Sequence, residues 1–178
     1  KKIRQRLFTA LFTVLLTVLP CLPVWTLTQG CSPSEKPTEN VMDSPAVQRI
    51  LFHPRTAERT PLPAGAEDIA IEVAPDVVIG CRFFAAGKDK ATILFFHGNG
   101  EIVSDYDIIG TEYLRYGLNI LVTDYRGYGW SDGRPSFSAL LADSHVLYAE
   151  LKKMLNEQGY RSAIFIMGRS CKKPSPCS

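Results

Sequence analysis

Three short apolar runs, each followed by polar or glycine-rich residues, constrain the fold of this chain most strongly. They occupy residues 91–96, 118–123 and 163–167. Each run is too short for a typical helix and does not alternate between apolar and polar residues, which is typical of a strand buried on both faces of a parallel sheet. The sequence therefore predicts three buried parallel strands.

The segments around these runs complete the expected fold. Residues 104–116 predict a helix ended by Gly117, and leucines recur at helical spacing from Leu140 as far as Gly159, with Ser136 in the N-cap region. Strand, helix and strand in this order imply right-handed crossovers. Upstream, two alternating stretches within residues 69–84 predict an antiparallel hairpin. We expect an α/β fold in which a β-hairpin is followed by parallel strands with crossover helices, forming an incomplete sheet.

The N-terminal residues indicate export. Basic residues within positions 1–6 precede an uncharged stretch over residues 7–27, which predicts a signal peptide or membrane anchor over residues 1–30. Gly30-Cys31-Ser32 also resembles the cleavage box of bacterial lipoproteins, which leaves lipid attachment at Cys31 open. We expect a secreted, periplasmic or membrane-anchored protein, with contact to the membrane through this segment. Residues 31–66 are rich in proline and predict a tether that becomes ordered around residues 50–52.

Composition narrows the functional classes. With 46% apolar and 21% charged residues, the chain matches one globular domain plus an appendage. The net charge of +2 is small, so no nucleic-acid partner is predicted. The five cysteines include no C-x-x-C pair, so no metal site is indicated. Cys81 lies among apolar neighbours and is interpreted as a buried small hydrophobe. No cofactor is implied.

Three motifs follow the predicted strands in order. They are His97-Gly98-Asn99-Gly100, the stretch of residues 124–131 with the sequence DYRGYGWS, and Gly168-Arg169-Ser170. Together they resemble the serine α/β-hydrolases related to the BEM46-like and serine-aminopeptidase-like esterases, from about residue 51 to residue 170. The resemblance implies that residues 67–170 are the N-terminal half of an α/β-hydrolase domain. It also implies a small-molecule ester substrate, or alternatively an amide.

The resemblance assigns roles to three residues. Ser170 is expected to be the nucleophile, at a sharp turn between strand and helix. The amide N–H groups of Asn99 and Cys171 are expected to form the oxyanion hole. His97 lies in the oxyanion loop of such proteins, which implies a structural role.

The remaining histidines and aspartates are given ordinary roles. His53 and His145 are interpreted as surface or packing residues. Asp124 is expected to pair with Arg126 or to cap its loop. Asp132 and Asp143 are expected to be solvated.

The end of the chain departs from the family pattern. Lys172 stands where a glycine is expected, and residues 171–178 carry prolines and no apolar stripe, which indicates a tail foreign to the family. The triad acid and histidine of the family follow the nucleophile, and neither occurs after Ser170 in this sequence. We therefore expect the chain as given to be inactive, and a frameshift, premature stop or altered splice after Ser170 is our hypothesis for its origin.

Two alternatives remain open from the sequence. The chain could be a noncatalytic secreted or membrane-attached remnant. It could also be a dinucleotide-binding domain, because Gly98-x-Gly100-x-x-Val103 follows a strand and Asp124 ends the next one. Val103 stands where that fingerprint requires glycine or alanine, which argues against the second alternative.

Overall fold

The computed structural model describes residues 40–169, which form one five-stranded mixed sheet. The strands lie in the order β1-β2-β4-β3-β5. Their bounds are Ala66–Ala74 for β1, Val77–Phe84 for β2, Thr92–Phe96 for β3, Asn119–Thr123 for β4 and Ile164–Gly168 for β5. The predicted α/β fold with an incomplete sheet is confirmed.

Two pairing patterns build this sheet. β1 and β2 form the predicted antiparallel hairpin, and Asp76 takes a left-handed φ of 60° at its turn. β2 then pairs antiparallel with β4, whereas β4, β3 and β5 run parallel to one another. The carboxyl ends of the three parallel strands therefore meet at one edge of the sheet, where open α/β sheets bind their ligands.

Helices cover both faces of the sheet. The helix α2, Asp107–Arg115, follows a short 3-10 turn at Val103–Tyr106 and packs against Phe84 and its neighbours. The helix α3, Phe137–Glu157, begins at the predicted N-cap Ser136, whose hydroxyl accepts from the Ala139 N–H at 3.1 Å. Its buried leucines, Leu147, Leu151 and Leu155, belong to one hydrophobic core cluster together with the buried Cys81.

The burial predicted for the last strand is wrong. Phe165 is 58% exposed and Ile166 is 65% exposed, although both belong to a continuous apolar run. β5 lies at the edge of the sheet, and among residues 40–169 only β3 pairs with it. An apolar run predicts a strand, but it cannot tell whether neighbouring elements cover both faces.

The segment ahead of the sheet is part of the fold from Asn40 onwards. It contains the helix α1, Pro45–Leu51. After this helix, the backbone is hydrogen-bonded to the loop that follows β4. The Ala57 N–H donates to Gly129 O and the Gly129 N–H donates to Arg55 O, both at 2.8 Å. Upstream of residues 50–52, Asp43 accepts from the Ser138 N–H at 3.1 Å, so the predicted tether contacts the domain earlier than expected.

The remaining N-terminal predictions fall on other residues. The predicted signal or anchor at residues 1–30, and the tether residues 31–39, lie outside the described residues. Among residues 40–169, no helix has the length and apolar character needed to cross a bilayer.

Candidate active site

The loops after the three parallel strands meet at the carboxyl edge of the sheet. The first loop carries Asn99, the second runs from Asp124 to the start of α3, and the third begins at Arg169. The Arg169 N–H donates to Phe96 O at 2.9 Å, which holds the end of β5 beside the start of the first loop. Topology therefore brings the three predicted motifs together as far as residue 169.

His97 is a buried structural residue, as the resemblance implied. Its side chain has no exposed surface, and its ring meets the edge of the Tyr125 ring at a centroid distance of 4.5 Å. Its Nδ1 lies 2.9 Å from Gly98 O, and its Nε2 lies 3.1 Å from Asp124 Oδ1. Gly98 O can only accept a hydrogen bond, so Nδ1 donates to it, and the Asp124 carboxylate occupies Nε2. Both ring nitrogens are therefore engaged by neighbouring groups.

Two of the three aspartates considered above, Asp124 and Asp143, differ from their predicted roles. Asp124 pairs with His97 rather than with Arg126, and its Oδ1 also accepts from the Val103 N–H at 2.9 Å. Asp143 is buried rather than solvated, because Arg126 binds it through two hydrogen bonds of 2.7 Å. This bidentate pair fixes the second loop to α3. Asp132 is exposed as predicted, and its Oδ2 accepts from the Val78 N–H.

Asn99 lies at the centre of a small polar network. Its Oδ1 accepts from the His53 backbone N–H and from the Tyr128 hydroxyl, both at 2.8 Å. Its Nδ2 lies 2.7 Å from His53 Nδ1. The side chain is thereby held by its neighbours, whereas the amide N–H of Asn99 makes none of the hydrogen bonds found among residues 40–169. An amide N–H of this kind can serve an oxyanion.

His53 is therefore closer to the candidate site than its interpretation as a surface residue implied. The Asn99 Nδ2 donates to the His53 Nδ1, so this ring nitrogen belongs to the network around Asn99. His145 is exposed on α3. No local pattern predicts the contact between His53 and Asn99, because 46 positions separate them.

Glu101 joins the first and third loops. Its Oε2 accepts from the Gly98 N–H at 2.9 Å and from the Tyr106 hydroxyl at 2.5 Å, and its Oε1 lies 3.0 Å from the Arg169 guanidinium. Burial and the bond to Glu101 raise the pKa of Tyr106, and the bond to Tyr106 and the charge of Glu101 raise the pKa of Arg169. Sequence reasoning missed this network, although Glu101 directly follows the first motif and Arg169 lies inside the third.

A cleft of about 190 Å³ opens beside these groups. Asn99, Arg169, His97 and the two tyrosines Tyr125 and Tyr128 lie along it, and five apolar side chains complete its lining. These are Met42, Leu51, Phe52, Phe137 and Leu140. Met42, Leu51 and Phe52 come from the segment that the sequence predicted to be a tether.

Two of the predicted site residues, Ser170 and Cys171, lie outside the described residues. Within residues 40–169, no three His, Cys, Asp or Glu side chains are grouped as a metal site would require. The dinucleotide-binding alternative is not supported, because the Asp124 side chain is enclosed and bonded to His97 and cannot reach a ribose hydroxyl.

Comparison with known sequences found one matching family and several similar proteins. The family described as serine aminopeptidase, S33, matches residues 87–171. The human protein named alpha/beta hydrolase domain-containing protein 17C is 38% identical over 84 residues, which are 44% of this chain and 25% of that protein. An uncharacterized protein of Mycobacterium tuberculosis is 28% identical over 124 residues, which are 66% of this chain and 44% of that protein.

A solved structure has the same fold. An esterase of Pyrococcus furiosus superposes with a TM-score of 0.52 at 23% identity, over 66% of this chain and 48% of the esterase. At this identity the likeness concerns the fold. The chain spans less than half the length of each of these three proteins.

Proposed function

Since this chain belongs to the α/β-hydrolase superfamily, we propose that it carries the nucleophile and the oxyanion hole of a serine esterase. In this proposal Ser170 attacks the carbonyl carbon of a small-molecule carboxylic ester, or alternatively an amide. The amide N–H groups of Asn99 and Cys171 bind the oxyanion. The supporting observation is the attachment of Arg169, the residue before Ser170, to the loop of Asn99 through Glu101.

The proposed reaction transfers the acyl group twice. The Ser170 oxygen bonds to the carbonyl carbon while its proton passes to a base, and the tetrahedral intermediate then collapses so that the alcohol leaves with that proton. Water attacks the acyl-serine in the same manner and releases the carboxylic acid. Negative charge develops on the carbonyl oxygen in both steps, and N–H groups that already point toward it stabilise the transition state.

The base and its orienting acid belong to the full-length enzyme in this proposal. The sequence has three histidines. Both ring nitrogens of His97 and the Nδ1 of His53 are engaged in hydrogen bonds, and His145 is exposed on α3. We therefore expect that these 178 residues alone do not turn over an ester.

A second candidate follows from the same observation. If no imidazole serves Ser170 as its base, the 178-residue chain would be a noncatalytic secreted or membrane-attached protein. Such a protein would keep the hydrolase fold and would not activate Ser170.

Labelling with a fluorophosphonate probe tests the two candidates. We expect mass spectrometry to find the phosphonyl group on Ser170 of the folded chain when imidazole is supplied as an external base, and Ser170→Ala to abolish it, because labelling needs both a base and a formed oxyanion hole. Hydrolysis of p-nitrophenyl acetate is measured in parallel and is expected to remain at the background rate. If the folded chain is not labelled, the noncatalytic candidate replaces the esterase proposal.

We also propose export through residues 1–30. A basic start followed by an uncharged apolar stretch supports this proposal. Mass spectrometry of the N-terminus of the membrane and extracellular fractions tests it, with Cys31→Ala as the control for lipid attachment. A chain recovered intact from the cytosol would overturn the proposal.

A further inference from the structure

We propose that the cleft beside Asn99 and Arg169 binds a small apolar group, and that the segment of residues 41–52 ahead of the sheet is its specificity-determining wall. The inference rests on the proposed function in one respect, since the bound group is taken to be the acyl part of the ester. The class of ligand is a single aromatic ring or a short branched acyl chain.

The lining of the cleft supports an apolar ligand. Five apolar side chains line it, three from the segment ahead of the sheet and two from the start of α3, and the polar groups come from the loops after the strands. A ligand with an apolar body and one carbonyl matches this division, because the carbonyl can face Asn99 while the body leaves water.

The volume of the cleft limits the size of that ligand. An apolar protein cavity of roughly 150 Å³ accommodates benzene. The present cleft of about 190 Å³ is slightly larger, which leaves room for one ring or a short chain and excludes a long acyl chain from lying wholly inside.

The wall is attached to the domain at both ends. At one end, Asp43 accepts hydrogen bonds from the Ser138 hydroxyl and from the Ser138 N–H, the latter at 3.1 Å. At the other end, the His53 N–H donates to Asn99 Oδ1 and to the Tyr128 hydroxyl. The segment between these contacts is therefore fixed across the cleft.

Side-chain exposure within α1 shows which positions can select the ligand. Ile50 is 74% exposed, whereas its neighbour Leu51 is half-buried and lines the cleft. These two positions form a matched pair, since they are adjacent aliphatic residues of the same helix that differ in exposure.

Binding measurements on the full chain with Ser170→Ala test the proposal without any turnover. Ethyl phenylacetate is titrated and followed by isothermal calorimetry. We expect saturable binding that Leu51→Trp weakens at least tenfold by filling the cleft, and that Ile50→Trp leaves unchanged. Equal effects of the two substitutions, or the absence of saturable binding to a folded chain, would overturn the proposal.

A second variant keeps the test valid if the tryptophan disturbs folding. Leu51→Ala enlarges the cleft and is expected to shift the ratio of affinities for ethyl octanoate and ethyl phenylacetate at least fivefold toward the longer ester. An unchanged ratio would contradict the assigned wall. Binding without Ser170 labelling in the wild-type chain would refute the esterase proposal alone, whereas labelling together with no effect of Leu51 variants would refute this inference alone.

Discussion

The Asp124 carboxylate lies so close to the backbone of Gly129 that a side chain does not fit at position 129. Gly129 has a left-handed φ of 53°, and a Cβ built on it would lie 2.0 Å from Asp124 Oδ2. That oxygen is enclosed and has no hydrogen-bond partner among residues 40–169, while Oδ1 holds His97 and the Val103 N–H. The carboxylate cannot move away without giving up both bonds.

We expect Gly129→Ala to destabilise the fold strongly. A left-handed non-glycine residue costs about 1–2 kcal/mol, and crowding in a packed interior adds about 1–3 kcal/mol. The control is Gly159→Ala, because Gly159 has a φ of 80° but no atom within 4 Å of its built Cβ, so only the first cost applies. Urea unfolding of both variants measures the difference, and equal losses of stability would contradict the steric account.

Asp43 shows how one side chain attaches an element to another. The Ser138 hydrogen bonds lower the pKa of this carboxylate below its ordinary value of 3.8. The negative charge also lies near the N-terminus of α3, where the helix dipole favours an anion. The ionised form of Asp43 thus stabilises the attachment of this segment to the start of α3.

We expect this attachment to be lost only in strong acid. A group whose pKa is lower in the folded state contributes stability above its unfolded value, and that contribution disappears as the pH falls through the folded value. The Ser138 amide resonance in NMR spectra should therefore titrate with a midpoint below 3.8, and Asp43→Asn should remove this titration. The Ala139 amide, which donates to the Ser136 hydroxyl, is the internal control. A Ser138 midpoint at or above 3.8 would refute the pKa argument.

Over the whole molecule, local sequence patterns predicted the positions of the helices and strands better than they predicted which residues pack against them. The hairpin, the parallel strands and the start of α3 at Ser136 depend on short-range spacing and capping, which the sequence displays directly. The antiparallel pairing of β2 with β4 and the exposure of β5 depend on contacts across the sheet, which periodicity does not encode.

The candidate site was predicted to a similar extent. The motif at the end of β3 correctly predicted that Asn99 and His97 lie in the loop at the carboxyl edge of the sheet, and the oxyanion role of Asn99 stays a prediction. The burial of Asp143 and the contact of Glu101 with Arg169 were missed, because each requires a partner that is distant in sequence. The wall of the cleft was missed because proline-rich composition suggested a tether, whereas half-buried side chains such as Phe52 pack against the domain.

The exposed edge of the sheet has a consequence for the molecule in solution. Phe165, Ile166 and Met167 present large apolar side chains on β5, and an exposed apolar edge strand is a template for pairing with a second chain. We expect the 178-residue chain to self-associate at micromolar to millimolar concentrations.

Ile166→Lys should shift the chain toward the monomer, because a charge on the edge opposes strand pairing. Ile108→Lys on α2 is the control, since Ile108 is 80% exposed but lies on a helix whose backbone hydrogen bonds are already made. Size-exclusion chromatography with light scattering distinguishes the cases, and a wild-type chain that stays monomeric, or an equal response to both lysines, would refute association through β5.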